Sequence, residues 1–178
     1  MTKLVGICGH IGAGKSTLAK GLTDDGYRVA SFATPLKRML VALGLPLECL
    51  TDPALKEKPH QLLMMRTPRK AMQDLGDWGR QIHPDFWVNI AKMEYLAQEV
   101  NTVFDDVRFD NEANMIRGLG GAMIRVVRDC TLTVSGVPHI SEKHWAGMVV
   151  GLDLRNETID SALSKVHDYL ESYQWGAK

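Results

Sequence analysis

The chain has 178 residues, 45% of them hydrophobic and 24% charged, enough apolar material for one globular domain with a full core. Its 21 basic and 21 acidic residues cancel, so no global field draws it to DNA, RNA or anionic lipid. Cys8, Cys49 and Cys130 form no C-x-x-C pair and no apolar run approaches about 18 residues, which points away from a disulfide frame, a zinc site, a membrane span or a signal peptide, and toward a cytoplasmic protein.

The first predicted element is a buried strand over Lys3 to Cys8. Gly9-His10-Ile11-Gly12-Ala13-Gly14-Lys15-Ser16 follows and fits G-x-x-x-x-G-K-S/T without a mismatch, and Ser16 to Leu22 opens as a helix. Tyr27 to Phe32 reads as a second strand. Thr34-Pro35 reads as an N-cap with proline at the first helical position, followed by the stripe Leu36, Met39, Leu40 and Leu43 and a stop at Gly44. Residues 45–66 carry three prolines and read as irregular. Thr67-Pro68 repeats the start signal before the stripe Ala71, Leu75, Trp78 and Ile82. His83-Pro84 breaks that helix, and Phe86, Ile90, Met93, Ala97 and Val100 carry the next. Strands are expected over Asn101 to Asp105, Ala122 to Val127 and Met148 to Leu154. Helices are expected from Asp110 to Arg117 and along Ile159, Ala162, Leu163, Val166, Tyr169 and Leu170. Alternating strands and helices predict an α/β fold, a parallel sheet covered on both faces, in one domain over residues 1–178.

A strand, a glycine-rich turn and a helix N-terminus make an anion cradle, in which backbone N–H groups point inward and the helix end carries about half a positive charge. The spacing therefore predicts a phosphate loop for a nucleoside triphosphate, with Gly12, Ala13, Gly14, Lys15, Ser16 and Thr17 around the phosphates. Lys15 supplies a point charge toward the β- and γ-phosphates, and the Ser16 hydroxyl is a ligand for Mg²⁺ arriving with ATP. No N-K-x-D segment reads a guanine base. A mostly helical insertion over residues 34–100 offers room for a second substrate. Asp105 and Asp106 end their strand at the edge where open α/β sheets bind ligands, and one of them is expected to hold Mg²⁺ through water. Their plainer role is to cap the helix that starts near Asp110.

Ser31-Phe32-Ala33-Thr34-Pro35-Leu36-Lys37, Thr67-Pro68-Arg69, Gln73-Asp74-Leu75-Gly76, Trp78-Gly79-Arg80 and Pro84-Asp85-Phe86-Trp87-Val88 resemble the phage deoxynucleoside monophosphate kinases. Asp106-Val107-Arg108-Phe109-Asp110-Asn111-Glu112, His139-Ile140-Ser141-Glu142 and Asn156 before the last helix extend the resemblance over nearly the whole chain. It implies the P-loop fold with a helical substrate-binding insertion, and transfer of the ATP γ-phosphoryl group to a deoxynucleoside monophosphate. It also implies that Asp106 is the metal-linked acid. Asp105 stands where the family usually has a serine- or threonine-like residue, which leaves open which acid takes the metal.

Phosphoryl transfer between two phosphates meets strong charge repulsion, so cations must converge from several parts of the chain. Lys15, Arg108 and Arg128, with the acid Asp106, are the catalytic candidates, and Lys37, Arg69 and Arg80 in the insertion are expected on the acceptor phosphate. Arg125 lies mid-strand and flanks the site. Phe32 and Trp87 are candidate base contacts, Trp87 is also a candidate wall near the sugar C2′, and Gln73 is placed to read a base edge. Residues 128–147 form a polar loop expected to act as a lid. His83 and His139 sit in turns and read as bystanders. Two rival readings remain: another small-molecule phosphate kinase, of the dephospho-coenzyme A or phosphomevalonate type, and a non-catalytic ATP-binding module. No oligomer is indicated.

Overall fold

The computed structural model describes residues 2–128 and 144–176. The chain divides into two compact units, one of residues 1–31 with 94–178 and one of Phe32–Met93. In the first, strands β1 (Leu4–Cys8), β2 (Arg28–Ala30), β3 (Thr102–Val107), β4 (Ala122–Val127) and β5 (Leu152–Arg155) form a sheet in the order β2-β3-β1-β4-β5, with every pairing parallel. The central strand β1 is buried along its whole length, as a parallel strand covered on both faces must be.

Alternation along the strands sends Val5, Ile7, Val103, Ala122, Ile124 and Val126 to one core. Leu18 and Leu22 close that core from helix α1 (Lys15–Gly21) and the turn after it, and Ala162, Val166 and Leu170 close it from helix α7 (Ile159–Ser172). Helix α6 (Asp110–Gly118) packs on β1 and β4 through its own buried residues. The edge strand β2 is three residues long, shorter than the predicted Tyr27 to Phe32, and the last strand begins at Leu152, later than the predicted Met148.

The second unit holds helices α2 (Thr34–Ala42), α3 (Glu48–Thr51) and α4 (Pro68–Ile82), and most of α5 (Phe86–Leu96). Thr67 caps α4 as expected, its side chain accepting from Lys70 N with Pro68 at the first position. Thr34 does not cap α2. It is the first helical residue, and Ala33 holds the cap position without a side-chain bond. Residues 45–66, expected to be irregular, contain α3 and two 3₁₀ turns, and Leu40, Leu45 and Leu50 form a small core with Leu63, Ala71, Met72 and Leu75. Trp78 and Ile82, placed by periodicity on the buried stripe of α4, are exposed.

The expected stripe of α5 is also displaced. Trp87, Val88, Ala91 and Tyr95 are buried, whereas Met93 is 72% exposed. The physical reason is that Phe86 to Leu96 is apolar nearly all round, so spacing alone cannot select the face.

Candidate active site

The turn between β1 and α1 has the backbone its glycines permit. Gly9 has φ 144°, and a Cβ there would lie 2.1 Å from the Val126 carbonyl oxygen on the neighbouring strand. Gly14 sits at φ 96° in the left-handed region, directly before the first residue of α1. Lys15 folds back over the loop, its Nζ donating to Gly9 O (2.9 Å) and His10 O (2.7 Å). The ammonium is thereby held against the turn that the motif assigns to phosphates. Ser16 and Thr17 are exposed on the first turn of α1, and Ala13 is buried.

Across from this turn, strand β3 breaks its register with β1. Gly6 opposes Phe104 and Cys8 opposes Val107, so Asp105 and Asp106 together stand against Ile7. One extra residue of this kind re-aims side chains. The Asp105 carboxylate accepts from Ser16 Oγ at 2.6 Å, and Asp106 accepts from Ser31 Oγ, beyond the end of β2, at 2.5 Å. The resemblance implies Asp106 as the metal-linked acid and leaves Asp105 open; the acid bonded to Ser16 is Asp105, at the register slip that no residue type signals. Ser31 enters through the resemblance alone, and no local pattern in the sequence signals its contact with Asp106.

Beyond Asp106, the turn carrying Arg108 is pinned by Glu112. This carboxylate is 6% exposed and accepts from Arg108 N (2.7 Å) and Phe109 N (3.1 Å). Burial, and secondarily the Asp106 charge, push its pKa up to about 8, against the lowering effect of the two backbone donors and of Arg108. The Cys8 thiol is also pushed up by burial, partly offset by Arg125, which bonds to it, so it is an inert core thiol. Arg125 is committed further, to Met148 O and Asp153, which fits a flanking role.

On the other side of the loop, the Arg128 guanidinium lies beside Gly14, about as near as van der Waals contact to a Cβ placed there, and its Nη2 donates to Glu157 O at 3.3 Å. A small pocket opens here between Ala13, Leu18, Val126, Leu154, Ile159 and Ala162, with Arg128 and Glu157 at its rim. Most of the predicted lid over 128–147, with His139 and the His-Ile-Ser-Glu segment, lies outside the described residues.

The acceptor-side candidates belong to the helical unit. Lys37 occupies the first turns of α2, and Arg69 is the second residue of α4, paired with Glu57. Arg80 is paired with Asp77 at 2.9 Å, and Gln73 is half-buried on α4. Trp87 is not a stacking surface. It is 3% exposed, its Nε1 donates to Gly76 O at 2.9 Å, and a Cβ on Gly79 would lie 2.5 Å from its ring. The glycines of α4 leave room for that indole, so its buried N–H and its packing are both structural. Phe32 is likewise buried, at 3% exposure, and presents no free face for a base.

Among the described residues, no group of three or more His, Cys, Asp or Glu side chains gathers as a metal cluster. The oxygen pair of Ser16 and Asp105 suits a hard cation that is shared with ligand phosphates. No described helix is long and apolar enough to cross a membrane.

No family model matches the chain. It is 34% identical over 146 residues to an Acanthamoeba polyphaga mimivirus protein named "Putative deoxynucleotide monophosphate kinase", covering 70% of this chain and 74% of that one. A protein of Ictalurid herpesvirus 1 (strain Auburn), described as uncharacterized, is 29% identical over 133 residues, and the match spans 71% of this chain but only 51% of the viral protein. Among solved structures, an unliganded sugar kinase from Janibacter sp. HTCC2649 superposes with a TM-score of 0.53 at 14% identity, covering 96% of this chain and 95% of that one. The Thermus thermophilus protein TT1252 superposes with the same TM-score at 21% identity, over 95% and 98% of the two chains. At these identities the two structures speak for the fold alone.

Proposed function

The chain belongs to the deoxynucleotide monophosphate kinase family and is a phosphotransferase, and we propose that it transfers the γ-phosphoryl group of ATP directly to the 5′-phosphate of a deoxynucleoside monophosphate. The observation that carries this reading is the Ser16–Asp105 hydrogen bond beside the Lys15 loop, which joins a metal-ligating pair to a phosphate cradle at the centre of the sheet. An oxygen of the acceptor phosphate forms the new P–O bond while the bond from the γ-phosphorus to the departing ADP oxygen breaks. With a dianionic acceptor no proton has to be removed, so the work of the protein is positioning and charge neutralisation.

In this scheme the backbone around Gly12, Ala13, Gly14, Lys15, Ser16 and Thr17 holds the donor phosphates. Lys15 and Arg128 neutralise charge on either side of the loop, and Arg108 does so from the end of β3. Ser16 and Asp105 are the residues that would hold a Mg²⁺ ion, which would supply further charge neutralisation there. Lys37, Arg69 and Arg80 bind the acceptor phosphate. The ion pairs of Arg69 and Arg80 are partly exposed and of a kind worth only about 0–1 kcal/mol, so a phosphate dianion can replace the carboxylates. Gln73 remains the candidate for a base edge, whereas Phe32 and Trp87 belong to the core.

The test is ADP release with ATP and a panel of acceptors: the four deoxynucleoside monophosphates, their ribose forms, and unrelated phosphates. Turnover with deoxynucleotides of more than one base is expected, with deoxy over ribo kcat/KM ratios of about 10², the size an apolar wall achieves against an added hydroxyl. Preferential use of a phosphate that carries no nucleoside would overturn the acceptor assignment.

A further inference from the structure

The phosphate-loop pattern leaves the residue after its first glycine free, yet here that residue makes more contacts than the loop needs. The His10 carbonyl accepts from Lys15 Nζ at 2.7 Å. On the ring, Nδ1 lies 2.7 Å from Ile11 O, while Nε2 lies 2.6 Å from Arg128 O and within reach of the Arg128 N–H, at 3.2 Å. With a proton on Nδ1, Nε2 accepts from Arg128 N; with a proton on Nε2, it donates to Arg128 O. Either arrangement ties the loop to the backbone of a residue 118 positions away. The ring also lies 5.8 Å from that of Trp145, at 56°. One side chain therefore touches Arg128 and Trp145, which lie on opposite sides of segment 129–143.

We propose, resting on the phosphoryl-transfer reading, that His10 is a positioning residue: it fixes the Arg128 backbone to the phosphate loop so that the Arg128 guanidinium stays beside Gly14 while Lys15 covers the loop. Arg128 needs such a tie because its side chain is exposed and its described bond to Glu157 O is long, at 3.3 Å. A cation that neutralises a transferring group must be held before the reaction, since a misplacement of about 1 Å can cost about 10²-fold. The carbonyl of the same residue holds Lys15, so both cations are referred to a single point of the loop.

The experiment compares wild type with His10→Ala, His10→Asn and His10→Gln, each alone and with Arg128→Ala, in steady-state kinetics with ATP and a deoxynucleotide. It is paired with fluorine NMR of protein carrying 5-fluorotryptophan at its four tryptophans. Glutamine places an amide near the position of Nε2 and asparagine does not. The expected result is an intact fold with kcat lowered about tenfold in the Ala and Asn variants, the scale of one positioned hydrogen bond, and KM for ATP little changed. Glutamine should restore most of the rate. In the Arg128→Ala background, His10→Ala should cost nothing further, because both changes act through one group. The Trp145 resonance alone should move in His10→Ala, because the imidazole ring that faces it is gone. Additive losses in the double variant, equal rates for Gln and Ala, or an unmoved Trp145 signal would each overturn the proposal. A wild-type chain without turnover would sink the phosphoryl-transfer reading and the catalytic half of this one, while the Trp145 resonance would still report whether the His10 ring sits where the contacts place it.

Discussion

The sheet unit and the helical unit hold the charged groups of the candidate site in different ways. In the sheet unit they are bonded to one another or to the loop: Ser16 to Asp105, Ser31 to Asp106, Lys15 to two loop carbonyls, and Glu112 to two backbone amides. In the helical unit the cations pair with nearby carboxylates at partly exposed positions, Arg69 with Glu57 and Arg80 with Asp77. The first arrangement is preorganised, set by strand ends and a glycine turn, and it suits charge that must be met without delay. The second can be exchanged at little cost, and it suits a ligand that arrives and leaves.

The largest effect should come from the preorganised side. Lys15→Ala should lower kcat by about 10²–10³, the usual cost of one lost donor at developing charge, with the thermal midpoint unchanged. A folded Lys15→Ala protein with wild-type rates would break the contrast at once. Next comes the acidic pair. Asp105→Asn should raise the Mg²⁺ concentration needed for half-maximal rate more than Asp106→Asn does, because Asp105 accepts from Ser16. A larger metal defect in Asp106→Asn would return the metal to that residue.

Arg69→Ala and Arg80→Ala should raise KM for the acceptor by one to two orders of magnitude, about 1.5–3 kcal/mol each, and leave KM for ATP nearly unchanged. Equal effects on the two constants would erase the distinction drawn between the units. The smallest effect concerns stability. Glu112 has its pKa raised from 4.5 to about 8 in the folded chain, so the folded state holds its proton more tightly than the unfolded state does. Its contribution is fully present below the unfolded value and is lost as pH rises toward 8. The melting temperature of wild type should therefore fall across that window more than that of Glu112→Gln, which keeps an acceptor for Arg108 N and Phe109 N. Parallel pH profiles would show that Glu112 is ionised in the fold.

What could be read beforehand follows the same division. Strand order cannot be read from spacing, but the parallel α/β character could, because each apolar run was short and separated from the next by a helix signal. The phosphate loop was legible because its geometry is a backbone requirement that the glycines at 9, 12 and 14 spell out. Which of Asp105 and Asp106 meets Ser16 was not legible, since the two share a register slip against Ile7 that changes no residue type. In the helical unit, Trp87 was chosen for its chemistry, and the glycines at 76 and 79 that make room for it on the facing helix carried no signal in a one-dimensional pattern. His10 sits at a position the motif leaves free, and only the fold brings Arg128 to it.

The most direct test of direct transfer is a single-turnover reaction with the chain in excess over ATP labelled at its γ-phosphorus, mixed with a deoxynucleoside monophosphate and quenched through the first turnover. The label should pass from ATP into the deoxynucleoside diphosphate, with none released as inorganic phosphate along the way. Label appearing as inorganic phosphate, or remaining in ATP that is demonstrably bound, would contradict the account.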